Sequence, residues 1–130
     1  MTRPKPKPAR VRKPRVEHLS LPHPQHFIGG DCCRFWRASL VVNGRKRYVV
    51  STVGDYHPPS QPGPVEIGCR RTFETYVFRA GRGRYDCGCI RISDYSEIDS
   101  LPANDAETAG ANHAALVKKY AGQQKQERKR

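Results

Sequence analysis

Two runs rich in aromatic, β-branched and aliphatic residues, 35–42 and 45–53, are separated by Asn43-Gly44. Asn-Gly between two such runs predicts an antiparallel β-hairpin, because both residues tolerate the positive φ that a tight turn demands. A two-residue turn at Asn43-Gly44 sets Leu40 opposite Arg47, Ala38 opposite Val49 and Trp36 opposite Ser51. Trp36, Leu40, Val49 and Val53 then share one face, and Phe35, Val41, Tyr48 and Val50 the other. Neither face is polar, so alternation does not select the buried one. A third strand is expected over residues 71–79, with Phe73, Thr75 and Val77 on one side and Glu74, Tyr76 and Phe78 on the other. Gly81-Arg82-Gly83 should break it. Residues 89–93 read as a short fourth strand, followed by a polar turn through residues 94–101. Residues 55–65 hold Pro58, Pro59, Pro62 and Pro64 and read as a loop.

The period changes after Leu101. Asn104 is placed to cap a helix, with Glu107 three residues on in the capping-box position. Ala106, Ala109, His113, Leu116, Val117 and Tyr120 recur at helical spacing, and Gly122 is a fitting stop. Gly110 costs about 1 kcal/mol relative to alanine; with Ala106 and Ala114 it forms a small-residue strip that lets the helix approach a sheet. These elements predict an α+β domain: a small antiparallel sheet, built from the hairpin and one or two further strands, covered by a C-terminal helix.

Composition changes the picture at the two ends. The chain has 130 residues, 24 Lys+Arg against 12 Asp+Glu, and a formal net charge of +12. Residues 1–26 contain seven basic residues against Glu17 alone, a net +6, and six of the eleven prolines. From Lys118 onward the balance is +5, whereas residues 27–117 carry only +1. Proline lacks the amide that a helix or sheet ladder needs, and a basic stretch with few apolar residues cannot offset its ordering entropy. The expected organisation is a disordered basic arm over 1–26, a compact α+β domain over 27–122, and a basic tail over 123–130. Flexible Lys/Arg arms neutralise phosphates without reading bases, so nucleic acid is the expected partner, bound largely independently of sequence. The contacts expected are Lys5, Lys7, Arg10, Arg12, Lys13 and Arg15 at one end, with Lys118, Lys119, Lys125 and Arg128 at the other. Arms that only solvate the domain are the bland alternative.

The same arithmetic disfavours other classes. The apolar fraction is 36%, below the usual range of about 45–50%, so the core is small. No apolar run approaches the roughly 18 residues that cross a bilayer, and the basic N-terminus has no signal-peptide apolar region. A cytoplasmic location and no membrane partner are expected. An odd count of five cysteines argues against a disulfide framework.

Candidate chemistry is sparse. Cys32 (or Cys33), Cys69, Cys87 and Cys89 are candidate ligands for a structural zinc ion, but Cys32-Cys33 and Cys87-Gly88-Cys89 lack the usual knuckle spacing. His23 and His26 are three apart on a proline-broken segment, where their rings need not converge. Reduced thiols used as small buried side chains are the simpler expectation, with no cofactor. His113 in the apolar stripe reads as a packed core histidine before a catalyst. Glu74, Glu97 and Asp99 are more simply ion-paired with arginines or solvated than arranged as acid–base pairs. There is no nucleophile elbow, HExxH or Walker loop, so a non-enzymatic protein is expected. Arg79, Arg82 and Arg84, with Arg70, Arg71 and the aromatics Tyr76, Phe78 and Tyr85, offer a weaker basic patch on a sheet edge.

Residues 49–56 (VVSTVGDY), residues 66–78 (EIGCRRTFETYVF), Cys87-Gly88-Cys89, Ser96-Glu97-Ile98-Asp99 and a helix bearing Gly110 and His113 resemble a group of small tailed-bacteriophage proteins. The resemblance covers residues 49–120 and is most specific over residues 74–78. It implies a phage origin, a compact domain and action inside an infected bacterial cell, without an assigned chemistry. The combined expectation is a phage accessory protein whose basic arms engage nucleic acid or a nucleic-acid-bound host machine. The alternatives are an inhibitor of a host protein acting by protein–protein contact, and a structural virion component.

Overall fold

The computed structural model describes residues 13–25 and 32–122. Five strands, β1 (Arg15–Leu19), β2 (Cys33–Asn43), β3 (Lys46–Tyr56), β4 (Phe73–Arg84) and β5 (Ile90–Ala103), form one antiparallel sheet in the order β1-β2-β3-β4-β5. The helix α1 (Ala106–Tyr120) follows β5 and packs back across the sheet. The α+β architecture is as expected, with more strand in it. No helix among the described residues is long and apolar enough to cross a membrane.

Pleating sends alternate residues to opposite faces. On one face Val41, Tyr48, Val50 and Val77 meet Leu116 and Ala121, with Val16, Leu101, Val117 and Tyr120 packed around them. Burying a side chain such as Leu116 contributes about 1.5–3 kcal/mol, so this layer holds the helix down. On the other face Leu40, Val49 and Phe78 pack against Ile90 and Ile92. Two strands separate β5 from Leu40 in the sheet, so the β4–β5 hairpin must curl over that side to bring Ile90 there. Register shifts between Val77 and Arg84 provide the bend.

The structure differs from expectation in several places. The arm expected over 1–26 contains β1, which pairs with β2 from Arg15↔Val42 to Leu19↔Ala38. Val16 and His18 alternate with the charged Arg15 and Glu17, which suits an edge strand with one partner. The segment after β1 is also tied down. Gln25 is buried, donates from Nε2 to the Ile90 carbonyl (2.8 Å) and accepts from the Ile90 amide (3.1 Å). Residues 1–12 and the expected tail over 123–130 lie outside the described residues.

The hairpin forms with a register two residues away from expectation. Leu40 faces Val49 and Asn43 faces Lys46, so the turn is Gly44-Arg45, with positive φ at Gly44 alone. Positive φ at the first central residue only is the type II′ pattern. A slip of two preserves both faces, and it replaces a Leu40–Arg47 pair by Leu40–Val49. The polar run 94–101 is strand, not turn, because β5 pairs only with β4 and its outward positions face water. Likewise Gly81-Arg82-Gly83 lies within β4 and does not end it. The helix cap is Asp105, whose Oδ1 accepts from the Thr108 amide at 2.7 Å. Asn104 instead accepts from the Thr72 amide and donates to the Arg70 carbonyl, fastening the loop before β4. Gly110 makes room for the Arg37 guanidinium, since a Cβ there would lie 3.0 Å from Nη1.

Candidate functional site

The strand pairings bring the first described residues, beside Arg15, close to the end of α1. Arg15 opens β1 beside Val42, and Val42 in turn faces Arg47, so Arg15, Val42 and Arg47 form one row across three strands. At the helix C-terminus, the Tyr120 carbonyl accepts from Asn43 Nδ2 at 3.1 Å, beside the same turn. Val16 packs against the cluster that holds Leu116 and Ala121. The start of β1, the Gly44-Arg45 turn and the end of α1 therefore share one end of the sheet. Lys13, Arg15, Arg45, Lys46, Lys118 and Lys119 are all exposed there, and Arg79 lies opposite Tyr48 in the next row. Basic residues in the last helical turn are also stabilised by the helix dipole.

Acidic residues of β5 border one side of this pole: Asp94 lies opposite Arg79, and Glu97 and Asp99 follow on the same strand. Lys119 Nζ reaches Asp99 Oδ2 at 2.7 Å, and the Tyr120 hydroxyl donates to the same oxygen at 2.9 Å. Burial pushes the Asp99 carboxyl up, but the bonds from Lys119 and Tyr120 outweigh it and hold the group below its usual range. Burial and Asp99 together push the Tyr120 phenol up to about 12. Lys13, Arg15, Arg45, Lys46 and Lys118 enter no ion pair among the described residues. Of the contacts expected from sequence, Lys13, Arg15, Lys118 and Lys119 converge, whereas Lys5, Lys7, Arg10, Arg12, Lys125 and Arg128 lie outside the described residues. Arg45, Lys46 and Arg47, absent from that expected set, belong to the pole as well. Their place beside the hairpin turn is the sequence signal that finds them.

The weaker patch expected on β4 is not one surface. Arg70 and Arg71 sit at the opposite end of that strand, where Arg71 Nη2 approaches the buried Glu74 carboxylate at 3.4 Å. Arg84 pairs with Glu17 at 2.6 Å, and Arg91 stacks over the Tyr85 ring at 4.5 Å. Arg71, Arg84 and Arg91 are thus engaged within the fold.

Beneath the helix runs a polar chain. His18 Nδ1 lies 2.7 Å from Ser39 Oγ, which lies 2.9 Å from His113 Nε2. His113 Nδ1 lies 2.7 Å from Thr52 Oγ1, and that hydroxyl is 2.7 Å from Thr75 Oγ1. Each hydroxyl can donate or accept, so a neutral His113 ring of either tautomer is satisfied at both nitrogens. Burial, with His18 and Arg37 nearby, pushes His113 down to about 4, so the ring is neutral at pH 7. Ser39 and His113 have the separation of a nucleophile and base, but the Ser39 side chain is fully buried. The arrangement is that of a hydrogen-bonded core histidine. Beside it opens a cleft of about 870 Å³, lined by His18, Arg37, Gly110, His113, Val117 and Lys118.

The cysteines separate. Cys87 and Cys89 meet His23, with one ligand atom from each lying within 4.8 Å of the others; this is the one such cluster among the described residues. Neither Cys32 nor Cys69 belongs to it, so the four-cysteine set considered from sequence does not assemble. Sequence spacing does not reveal His23 as a partner, because it lies 66 residues from Cys89. Cys33 is buried on the sheet, and burial pushes its thiol up to about 11.

Compared with family models, with curated proteins and with solved structures, the chain matches none.

Proposed function

We propose that the protein is a non-enzymatic phage accessory protein that acts in the infected cell and binds nucleic acid through one basic pole, with little dependence on sequence. The observation carrying this reading is convergence: Lys13 and Arg15 at the start of β1 and Lys118 and Lys119 at the end of α1 lie beside the Gly44-Arg45 turn, where Arg45 and Lys46 add charge. Two separated arms would each contact phosphates independently. Arms anchored side by side instead raise each other's local concentration at a shared polyanion. The cleft lined by Arg37 and Lys118, with no carboxylate in its lining, extends the same potential along the helix. The phage origin rests on the sequence resemblance alone.

Fluorescence anisotropy with a labelled DNA duplex tests the proposal. The full chain should bind at low salt. Replacing Lys5, Lys7, Arg10, Arg12, Lys13, Arg15, Lys118, Lys119, Lys125 and Arg128 by Gln should remove binding while leaving the circular dichroism spectrum unchanged. Undiminished binding by the folded variant contradicts the proposal.

A second reading, contact with a host protein, draws on Tyr85 and Tyr95, large side chains that are each 42% exposed. Aromatic groups of this kind anchor protein interfaces. A single partner retained from nuclease-treated host lysate at high salt, and lost on Tyr85→Ser/Tyr95→Ser substitution, would favour it.

A further inference from the structure

We infer that His23, Cys87 and Cys89 form a site for a thiophilic divalent cation, zinc above all, which clamps the β4–β5 tip to the segment following β1. Cys89 Sγ lies 3.7 Å from His23 Nδ1 and 3.9 Å from Nε2. In a tetrahedral zinc site, bond lengths of about 2.3 Å to sulfur and about 2.0–2.1 Å to nitrogen place adjacent ligand atoms about 3.6–3.8 Å apart. The edge from Cys89 Sγ to Nε2, 3.9 Å, is already near that value. The remaining spread, up to 4.8 Å, closes by about 1 Å, which side-chain rotation supplies.

Three further features fit an ion. His23 Nδ1 lies 3.1 Å from the Pro24 carbonyl, so Nδ1–H donates there and Nε2 is the nitrogen that carries the lone pair. Metal-bound histidines commonly carry such a backbone bond on the other nitrogen. The ligands are also held in place by neighbours. Gln25 and Ile90, two residues beyond His23 and one beyond Cys89, bond to one another twice. The Tyr85 amide donates to the Cys89 carbonyl, and the Gly88 amide donates to the Tyr85 carbonyl. Lastly, Cys87 is exposed whereas Cys89 is buried, which provides an entry path and leaves a fourth position for water. Two thiolates and an imidazole are soft and borderline ligands that select zinc over magnesium or calcium. On binding, each thiol gives its proton to solvent.

The test uses the full chain, purified under reducing conditions without chelator. Elemental analysis should find one zinc per chain. Cobalt(II) titrated into the metal-free chain should produce the intense visible bands of a tetrahedral ion together with thiolate-to-cobalt charge transfer. Cys87→Ser, at an exposed position that leaves the fold intact, and His23→Gln should each weaken cobalt binding by more than about 100-fold, beyond the roughly 10–100-fold that loss of a ligand's outer partner costs. The double variant Cys32→Ser/Cys69→Ser should bind as the parent does. Absence of bound zinc together with no charge-transfer band, cobalt affinity unchanged in Cys87→Ser, or a weakened Cys32→Ser/Cys69→Ser variant would each overturn the inference.

Discussion

The two ends of the sheet use their charges differently. At the end where β4 begins, cations and anions are mixed and many are engaged by the fold. Asp55 Oδ1 meets His57 Nε2 at 2.7 Å, Arg71 pairs with Glu74, Asn104 ties Thr72 to Arg70, and Asp105 caps the helix. Arg34 and Arg70 are exposed there too, but Asp55, Glu66, Asp105 and Glu107 stand at the same end to offset them. At the end where the chain enters β1 and leaves α1, Asp94 and Glu97 of β5 stand beside Arg79, but Lys13, Arg15, Arg45, Lys46 and Lys118 have no ion-pair partner among the described residues. Ion pairs satisfied internally stabilise or orient; unpaired surface cations contribute little to stability and remain available to a polyanion. A net charge alone cannot make that distinction. The lesson is to ask which cations the fold has already engaged.

Three perturbations bear on this contrast, in order of expected effect. Arg71→Ala leaves the Glu74 carboxylate, 1% exposed, without its counter-ion. Removing one partner of a buried pair costs about 3–5 kcal/mol. Arg71 is itself partly exposed and contacts Glu74 at 3.4 Å, so urea unfolding should show a loss at the lower end of that range, with DNA binding by the remaining folded protein unchanged. The second perturbation acts between the two ends. His113 is held down to about 4 against an ordinary value of 6.5. Between these values the unfolded chain takes up a proton that the folded chain refuses, so stability falls as pH drops from about 6.5 to about 4. The linked loss is about 3 kcal/mol. Denaturant midpoints across that window should show it, and His113→Gln should flatten the slope. Smallest in stability is Arg45→Ser/Lys46→Ser, expected to change unfolding by less than about 0.5 kcal/mol while weakening duplex binding measurably. A pole variant as destabilised as Arg71→Ala would erase the distinction between the ends.

The parts of the fold visible in the sequence are those written in local periodicity. The β2–β3 hairpin as an element, the faces of β4 and the helical stripe Ala109, His113, Leu116 are where residue type and local period put them. What escaped depends on partners distant in sequence. β1 looks like part of a proline-rich arm until Val16 is seen opposite Val41. β5 looks like a polar turn because its outward side chains face water. The hairpin register differs from the Asn43-Gly44 turn expected from sequence by two residues, a slip that local pattern does not detect because it leaves both faces intact. The sites followed the same rule. Cys87 and Cys89 are visible in the sequence as candidate ligands, but His23 joins them only through the curled β4–β5 hairpin. The basic ends are legible as charge, whereas the approach of Lys13 and Arg15 to Lys118 and Lys119 beside the Gly44-Arg45 turn depends on β1 being in the sheet.

The central claim is that the two chain ends and the turn act as one phosphate-binding pole. The most direct measurement is the salt dependence of duplex binding by the full chain, compared with Arg45→Ser/Lys46→Ser and with the variant lacking the basic contacts of both ends. For B-DNA, log K falls against log salt with a slope of about −0.9 per phosphate neutralised. The account predicts a steep slope for the full chain, a slope shallower by about one to two units when Arg45 and Lys46 are replaced, and no measurable binding without the end contacts. A slope that stays the same after Arg45→Ser/Lys46→Ser, or duplex binding insensitive to salt, would contradict it.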